Sequence, residues 1–122
     1  MALYTLKRHE RIKKRRDYTL VYRHGITAES PHFKITVLPN SLGWSRIGIT
    51  VSRKIGTAVR RNMIKRRIRE YFRLHKAMLP HSHDIVVTAK QGACSLSYAG
   101  TVGELERVLL HTVFQHAGTS RA

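Results

Sequence analysis

Apolar residues recur along the chain with two different periods, and the switches between them divide it into elements. Tyr18, Val21 and Tyr22 stand at helical spacing, with Gly25 where a helix C′ glycine would sit, which predicts a short helix over 15–24. Phe33, Ile35 and Val37 then alternate with His32, Lys34 and Thr36, the pattern of a half-buried strand over 32–38. Pro39-Asn40 opens a turn, and Gly43 lies in the connection to a second alternating run, Ile47, Ile49 and Val51, within 45–52. The two strands read as a hairpin with a long loop carrying Trp44, and residues 26–30 suit a further short strand. After Pro80, Ile85-Val86-Val87 forms the heart of a strand over 84–90. Tyr98, Val102, Leu105 and Leu109 recur every three or four residues, which predicts an amphipathic helix over 97–115 with a first turn weakened by Gly100 and Gly103.

The longest helical pattern covers 57–76. Gly56 lets the chain turn, and Thr57 can accept a hydrogen bond from an orphan amide as N-cap. At roughly 100° per residue, Ile64, Ile68, Tyr71 and Phe72 gather on one side with His75 close by. Asn62, Arg66, Arg69 and Arg73 line the opposite side at i, i+4, i+7 and i+11. Lys65 and Lys76 border that line, and Arg60 and Arg67 lie along a flank.

Composition sharpens this picture. The 122 residues are 42% hydrophobic, which suits one folded domain with one core, over 1–115. Residues 1–14 read as a basic, extended segment of that domain and 116–122 as a loose tail. Twenty-three Lys and Arg against seven Asp and Glu leave a net charge of +16. That self-repulsion points to a polyanionic partner. No run approaches the roughly 18 to 20 apolar residues of a membrane span. The basic stretch 1–16 has no apolar run behind it, so it does not read as a secretory signal. A lone Cys94 excludes an internal disulfide framework or a multi-cysteine zinc module, and its natural compartment is the reducing cytoplasm.

The positive charge is concentrated. Residues 7–16 hold Lys7, Arg8, Arg11, Lys13, Lys14, Arg15 and Arg16. Residues 53–73 hold Arg53, Lys54, Arg60, Arg61, Lys65, Arg66, Arg67, Arg69 and Arg73, and only Glu10 and Glu70 dilute the two blocks. A merely solvated face would mix the signs. The bias to arginine favours planar, bidentate phosphate contacts, so the central helix reads as a nucleic-acid face. Strands before that helix oppose a helix-turn-helix arrangement. Tyr18, Tyr22 and Phe33 could line a single-strand channel edged with cations, although composition alone favours core for Tyr22 and Phe33.

No protein catalytic site stands out. His81-Ser82-His83-Asp84 resembles a loose metal-ligand cluster but lacks a spaced fourth ligand and reads as loop. Among only seven acids no acid–base pair is evident, and Ser95 and Ser97 have no neighbouring base.

The run Ser52-Arg53-Lys54-Ile55-Gly56-Thr57-Ala58-Val59-Arg60-Arg61-Asn62-Met63-Ile64-Lys65-Arg66-Arg67-Ile68-Arg69-Glu70 resembles the signature of the bacterial ribonuclease P protein subunit family. Leu6 to Lys14 resembles that family's basic N-terminal segment, Asp17-Tyr18 through Val21-Tyr22 its aromatic first helix, and Gly25 the turn after it. The resemblance implies an α+β fold. It would be a small two-layer sandwich, ordered helix–strands–helix–strand–helix, whose mixed sheet has a left-handed crossover. It implies an accessory subunit of a ribozyme, in which the RNA and its magnesium ions remove the 5′ leader of precursor tRNA. The protein itself then needs no catalytic side chain, cofactor, membrane or obligate protein partner.

Carried over by position, Arg53, Lys54, Arg60, Arg61, Asn62, Lys65, Arg66 and Arg69 would face the catalytic RNA. Tyr18, Tyr22 and Phe33 would line the leader cleft, with Lys13 and Lys14 at its mouth. One departure stands out. The family pattern usually reads Arg-Asn-Arg, whereas this chain has Arg61-Asn62-Met63, and Arg67 would restore the missing charge one turn away. The rival readings are a structural RNA-binding protein, such as a small ribosomal protein, and a protein-only nuclease.

Overall fold

A computed structural model describes residues 6–79 and 81–109. Helix α1 spans Arg15–His24, strands β1, β2 and β3 span Ile26–Glu29, Phe33–Pro39 and Arg46–Thr50, helix α2 spans Ala58–Leu74, strand β4 spans His83–Ala89 and helix α3 spans Tyr98–Val108. The expected continuation of the last helix to 115 and the expected tail over 116–122 lie outside the described residues.

The four strands form one mixed sheet in the order β1-β2-β4-β3. The expected hairpin between β2 and β3 is therefore corrected. Strand β4 lies between them, antiparallel to β2 with Ile35 opposite Val87, and parallel to β3 with Ile49 opposite Val87. The reason is burial. Ile85, Val86 and Val87 are all fully enclosed, and a strand apolar on both faces belongs at the centre of a sheet covered on both sides. The hairpin that does form joins β1 to β2, pairing Ile26 with Val37 and Glu29 with Lys34.

Strand alternation splits the core in two. Phe33, Ile35, Val37, Ile85 and Val87 face α2 and α3, meeting Ile64, Ile68, Tyr71, Phe72 and Leu105. On the opposite face Val86 packs with Val21 of α1 and with Ile12, flanked by Tyr18 and Leu38. Thr57 caps α2 by accepting from the Arg60 amide, and His75 stacks on Tyr71 with ring centroids 4.4 Å apart. Gly25 does not close α1 with a left-handed residue, since its φ is −80°. It is small because α1 ends against β2: a Cβ there would lie 2.6 Å from the Val21 carbonyl oxygen and 2.7 Å from Thr36 Cγ2.

The basic N-terminal segment is not simply extended. Arg8–Glu10 makes one 3-10 turn. Buried Leu6 and Ile12 anchor it on either side, and the Ile12 amide donates to the Ile47 carbonyl at 2.9 Å. At the other end of the molecule Glu104 of α3 is nearly enclosed. It accepts from the Ser30 hydroxyl at 2.6 Å, the His32 amide at 2.9 Å and His32 Nδ1 at 2.6 Å, tying α3 to the β1–β2 turn.

Burial pushes the Glu104 carboxyl up, but its hydrogen bonds from Ser30 and His32 outweigh that and hold it below the ordinary carboxylate range. A group depressed in the folded state adds stability above its unfolded value, and that stability is lost as pH falls through the folded value. Glu104→Gln should therefore lower stability at neutral pH by about 1.5–3 kcal/mol, the worth of hydrogen bonds to a charged group. It should also flatten the acid limb of the stability profile below about pH 5. Urea midpoints that match wild type at both pH 7 and low pH would refute this anchor.

Candidate nucleic-acid interface

Helix α2 turns its apolar stripe to the sheet, so its basic residues have nowhere to go but outward. Asn62, Arg66 and Arg69 are exposed on the far side, and Arg60 joins them near the helix start. Arg53 and Lys54 are exposed on the 3-10 turn Arg53–Ile55 just before α2. Lys65 and Arg61 are half-buried, and Arg61 Nε donates to the Gly56 carbonyl at 3.2 Å. The first turn of α2 contains no acid. Acids are what the positive end of a helix favours, so Arg60 and Arg61 there oppose the helix dipole and add to a site suited to phosphate.

Acids elsewhere do not quench this face. Five of the seven acidic side chains form ion pairs, with Arg46 (twice), Arg73, Lys76 and Lys90, and a sixth, Glu104, is hydrogen-bonded to His32. Among the described residues none of Lys13, Lys14, Arg53, Lys54, Arg60, Arg61, Lys65, Arg66 or Arg69 is in an ion pair. Arg73 differs from the rest of the predicted line: its guanidinium is held by Glu70 one turn back.

The second surface lies beside α1, where the helix crosses the sheet. Tyr18 packs closely against Gly48, where any Cβ would come within 2.8–2.9 Å of its ring and hydroxyl, and its hydroxyl donates to the Ile12 carbonyl at 3.3 Å. Burial raises its phenol above the ordinary value. Tyr22 is 44% exposed, and its hydroxyl lies 3.2 Å from Thr50 Oγ1 and 3.4 Å from Thr88 Oγ1. Thr88 is in register with Lys34 on one side and Thr50 on the other. These three side chains make a polar floor beneath the Tyr22 ring, which sequence reasoning missed. The signal was available only as strand parity, because Lys34 and Thr88 alternate with core residues.

Two placements differ from expectation. Phe33 is fully buried on the same face of the sheet as Ile35 and Val37, so its ring offers no face for stacking. Lys13 and Lys14 are exposed but precede α1, about 12 Å along its axis from Tyr22. They open instead onto a depression beside Trp44. Between the two surfaces, a pocket of about 100 Å³ is lined by Arg11, Tyr18 and Ile49 with Lys65 and Arg69. The Tyr18 ring of α1 and two cations of α2 thus border one space.

His81-Ser82-His83-Asp84 proves structural. Ser82 Oγ donates to the Asn40 carbonyl, and Asp84 accepts from Arg46 Nε at 2.9 Å, Arg46 Nη2 at 2.7 Å and Asn40 Nδ2 at 2.7 Å. These contacts fasten the β2–β3 loop to the start of β4.

The model of the family Ribonuclease P matches residues 6–113. A ribonuclease P protein component of Syntrophus aciditrophicus is 50% identical over 105 residues, covering 86% of this chain and 88% of that one. Its counterpart in Desulfovibrio desulfuricans is 40% identical over 124 residues, covering 98% and 95%. Among solved structures, the Staphylococcus aureus ribonuclease P protein superposes with a TM-score of 0.78 at 38% identity, covering 86% of this chain and 97% of that one. The Thermotoga maritima protein, bound to 1-(4-fluorophenyl)-2-thiourea, gives 0.78 at 33% identity, covering 83% and 98%.

Arg67, expected to compensate for Met63, has a structural bond: its Nη1 donates to the Leu96 carbonyl at 2.5 Å, joining α2 to the chain before α3. Arg67→Leu should cost about 1–2 kcal/mol, since a part-buried charge-assisted bond is lost. A thermal midpoint unchanged from wild type, together with weakened RNA binding, would give Arg67 the compensating role and deny it the structural one.

Proposed function

The chain belongs to the ribonuclease P protein family, and on that premise we propose how its two basic surfaces divide their targets. It works with a ribonuclease P RNA as the protein component of the endoribonuclease that removes the 5′ leader of precursor tRNA. The outward face of α2, with Arg53, Lys54, Arg60, Arg61, Asn62, Lys65, Arg66 and Arg69, is assigned to the catalytic RNA. The observation that carries this assignment is that the Lys and Arg of this set are exposed or half-exposed and in no ion pair among the described residues, while five of the seven acids are paired to other cations. Arginine forks of this kind position a protein on phosphates without reading sequence.

The α1 cleft is assigned to the single-stranded leader of precursor tRNA. Tyr22 supplies the exposed ring, Tyr18 the wall, and Lys34, Thr50 and Thr88 the polar floor. Rings on which successive bases stack beside cations suit a strand of any sequence. Phosphodiester hydrolysis, with its magnesium, is assigned to the RNA. Among the described residues no three His, Cys, Asp or Glu side chains come together as a metal site. The protein acts as a single RNA-binding domain in the cytoplasm, with no obligate protein partner.

Reconstitution is the decisive experiment. Added to a bacterial ribonuclease P RNA at low magnesium, the protein should stimulate cleavage of precursor tRNA. No stimulation there would leave only a general RNA-binding protein, and cleavage without any RNA would favour a protein-only nuclease. Neutralising about six phosphates gives a slope of roughly −4 to −5 in log affinity against log salt. The triple variant N62A/R66A/R69A should flatten that slope for the catalytic RNA, and equal slopes would refute the α2 assignment. Tyr22→Ala should weaken leader binding by about 1–3 kcal/mol with the slope retained.

A further inference from the structure

A third basic depression lies on the far side of the N-terminal segment, with a volume of about 270 Å³. Arg8, His9, Lys13, Lys14, Leu42 and Trp44 line it. Trp44 is the only tryptophan in the chain and is 38% exposed, with Leu42 beside it 39% exposed. The indole is fixed in place. Its Nε1 donates to the His9 carbonyl at 3.0 Å, and the His9 ring meets it edge-on with centroids 5.4 Å apart. The Trp44 carbonyl accepts from Asn40 Nδ2, whose Oδ1 in turn accepts from the Leu42 amide.

Around this held ring the charge is one-sided. Asp17 is the one acid lining the depression, and it is drawn to Arg46 at 3.4 Å. Arg8, Lys13 and Lys14 have no acidic partner among the described residues. Lys13 carries the mark of that crowding: lost hydration and the neighbouring Arg8 and Arg11 guanidinium groups lower its ammonium below the ordinary value. A rigid, part-exposed aromatic among unpaired cations has the two components of a nucleotide site, a stacking face and phosphate ligands. A protein partner would meet the ring but not the charge.

We propose that this depression binds one unpaired RNA nucleotide, its base against Trp44 and its phosphates on Arg8, Lys13 and Lys14. The proposal rests on the RNA-binding reading above and adds a contact separate from both the α2 face and the Tyr22 cleft. The nucleotide comes either from the precursor leader or from an unpaired segment of the catalytic RNA.

Because Trp44 is the sole tryptophan, its emission reports on the site in the wild-type protein. An unstructured oligoribonucleotide matching a leader, and separately the catalytic RNA, would be titrated into the protein while binding is followed independently by anisotropy of labelled RNA. The RNA that supplies the nucleotide should quench Trp44 emission and shield it from acrylamide, as a base stacked on the indole would. Trp44→Leu should weaken that same RNA roughly five- to one-hundred-fold, and Trp44→Phe should recover most of the loss. Binding of both RNAs with unchanged emission and acrylamide access would overturn the nucleotide site while leaving the RNA-binding function intact. Absence of any salt-dependent RNA binding would overturn both.

Discussion

Strand β4 is the constraint on which the rest of the molecule depends. Ile85, Val86 and Val87 expose nothing to solvent, so the sheet must be covered on both faces at that strand. Burying each such side chain is worth roughly 1.5–3 kcal/mol, more than any surface pair in the protein supplies. The parallel β3–β4 pair also needs a crossover, and α2 is the connection that makes it. With α2 and α3 on the Ile85 and Val87 side, α1 is left to cover Val86. Helix α1 crosses the strands, from Tyr18 over Gly48 of β3 to Gly25 against Thr36 of β2, along the row that holds Val86. The row two residues further along, Lys34–Thr88–Thr50, is left open beneath Tyr22, and a cleft follows from the crossing.

The acids are distributed with equal economy. Asp84 and Asp17 hold Arg46, Glu10 holds Lys76, Glu29 holds Lys90, and Glu104 holds the turn at Ser30 and His32. Most of these contacts join segments far apart in the chain and secure a loop or a helix to the sheet. Exposed ion pairs are worth little, but the Asp84 and Glu104 carboxylates are nearly enclosed and answered by several donors each, where charge-assisted bonds count for more. With the acids so placed, the cations of 7–16 and of α2 repel one another unless an external anion intervenes. A polyanion relieves that repulsion, and counterion release adds to it.

Periodicity made much of this legible. The stripe Ile64, Ile68, Tyr71 and Phe72 is buried as its spacing implied, and Thr57 caps the helix it was expected to start. Strand parity located the core face of β2, and for Phe33 it carried more information than the family resemblance did. Phe33 shares the parity of Ile35 and Val37, so whatever buries them buries it. Strand order was not legible, because alternation says which way a side chain faces and not which strand lies alongside. That is why the β2–β3 hairpin was expected, and why Thr50 and Thr88, 38 residues apart, were not paired under Tyr22. Trp44 was placed in a loop but not in a site, since its neighbours Arg8 and Lys13 come from a distant part of the chain.

The N-terminal segment shows how a fold can hold such charge in readiness. Arg8, Arg11 and Lys13 crowd one another, and two like charges about 4 Å apart repel by roughly 1 kcal/mol even in water. Left to itself the segment would swing away from the domain. Leu6 and Ile12 are buried at its two ends, the Ile12 amide joins the β3 edge, Glu10 pairs with Lys76 at the end of α2, and Trp44 holds the His9 carbonyl. Two enclosed aliphatic side chains contribute roughly 3–6 kcal/mol, enough to outweigh the repulsion of the cations between them. The ordering entropy is then met during folding and not on encounter with RNA, which is the condition under which phosphate contacts contribute most to affinity.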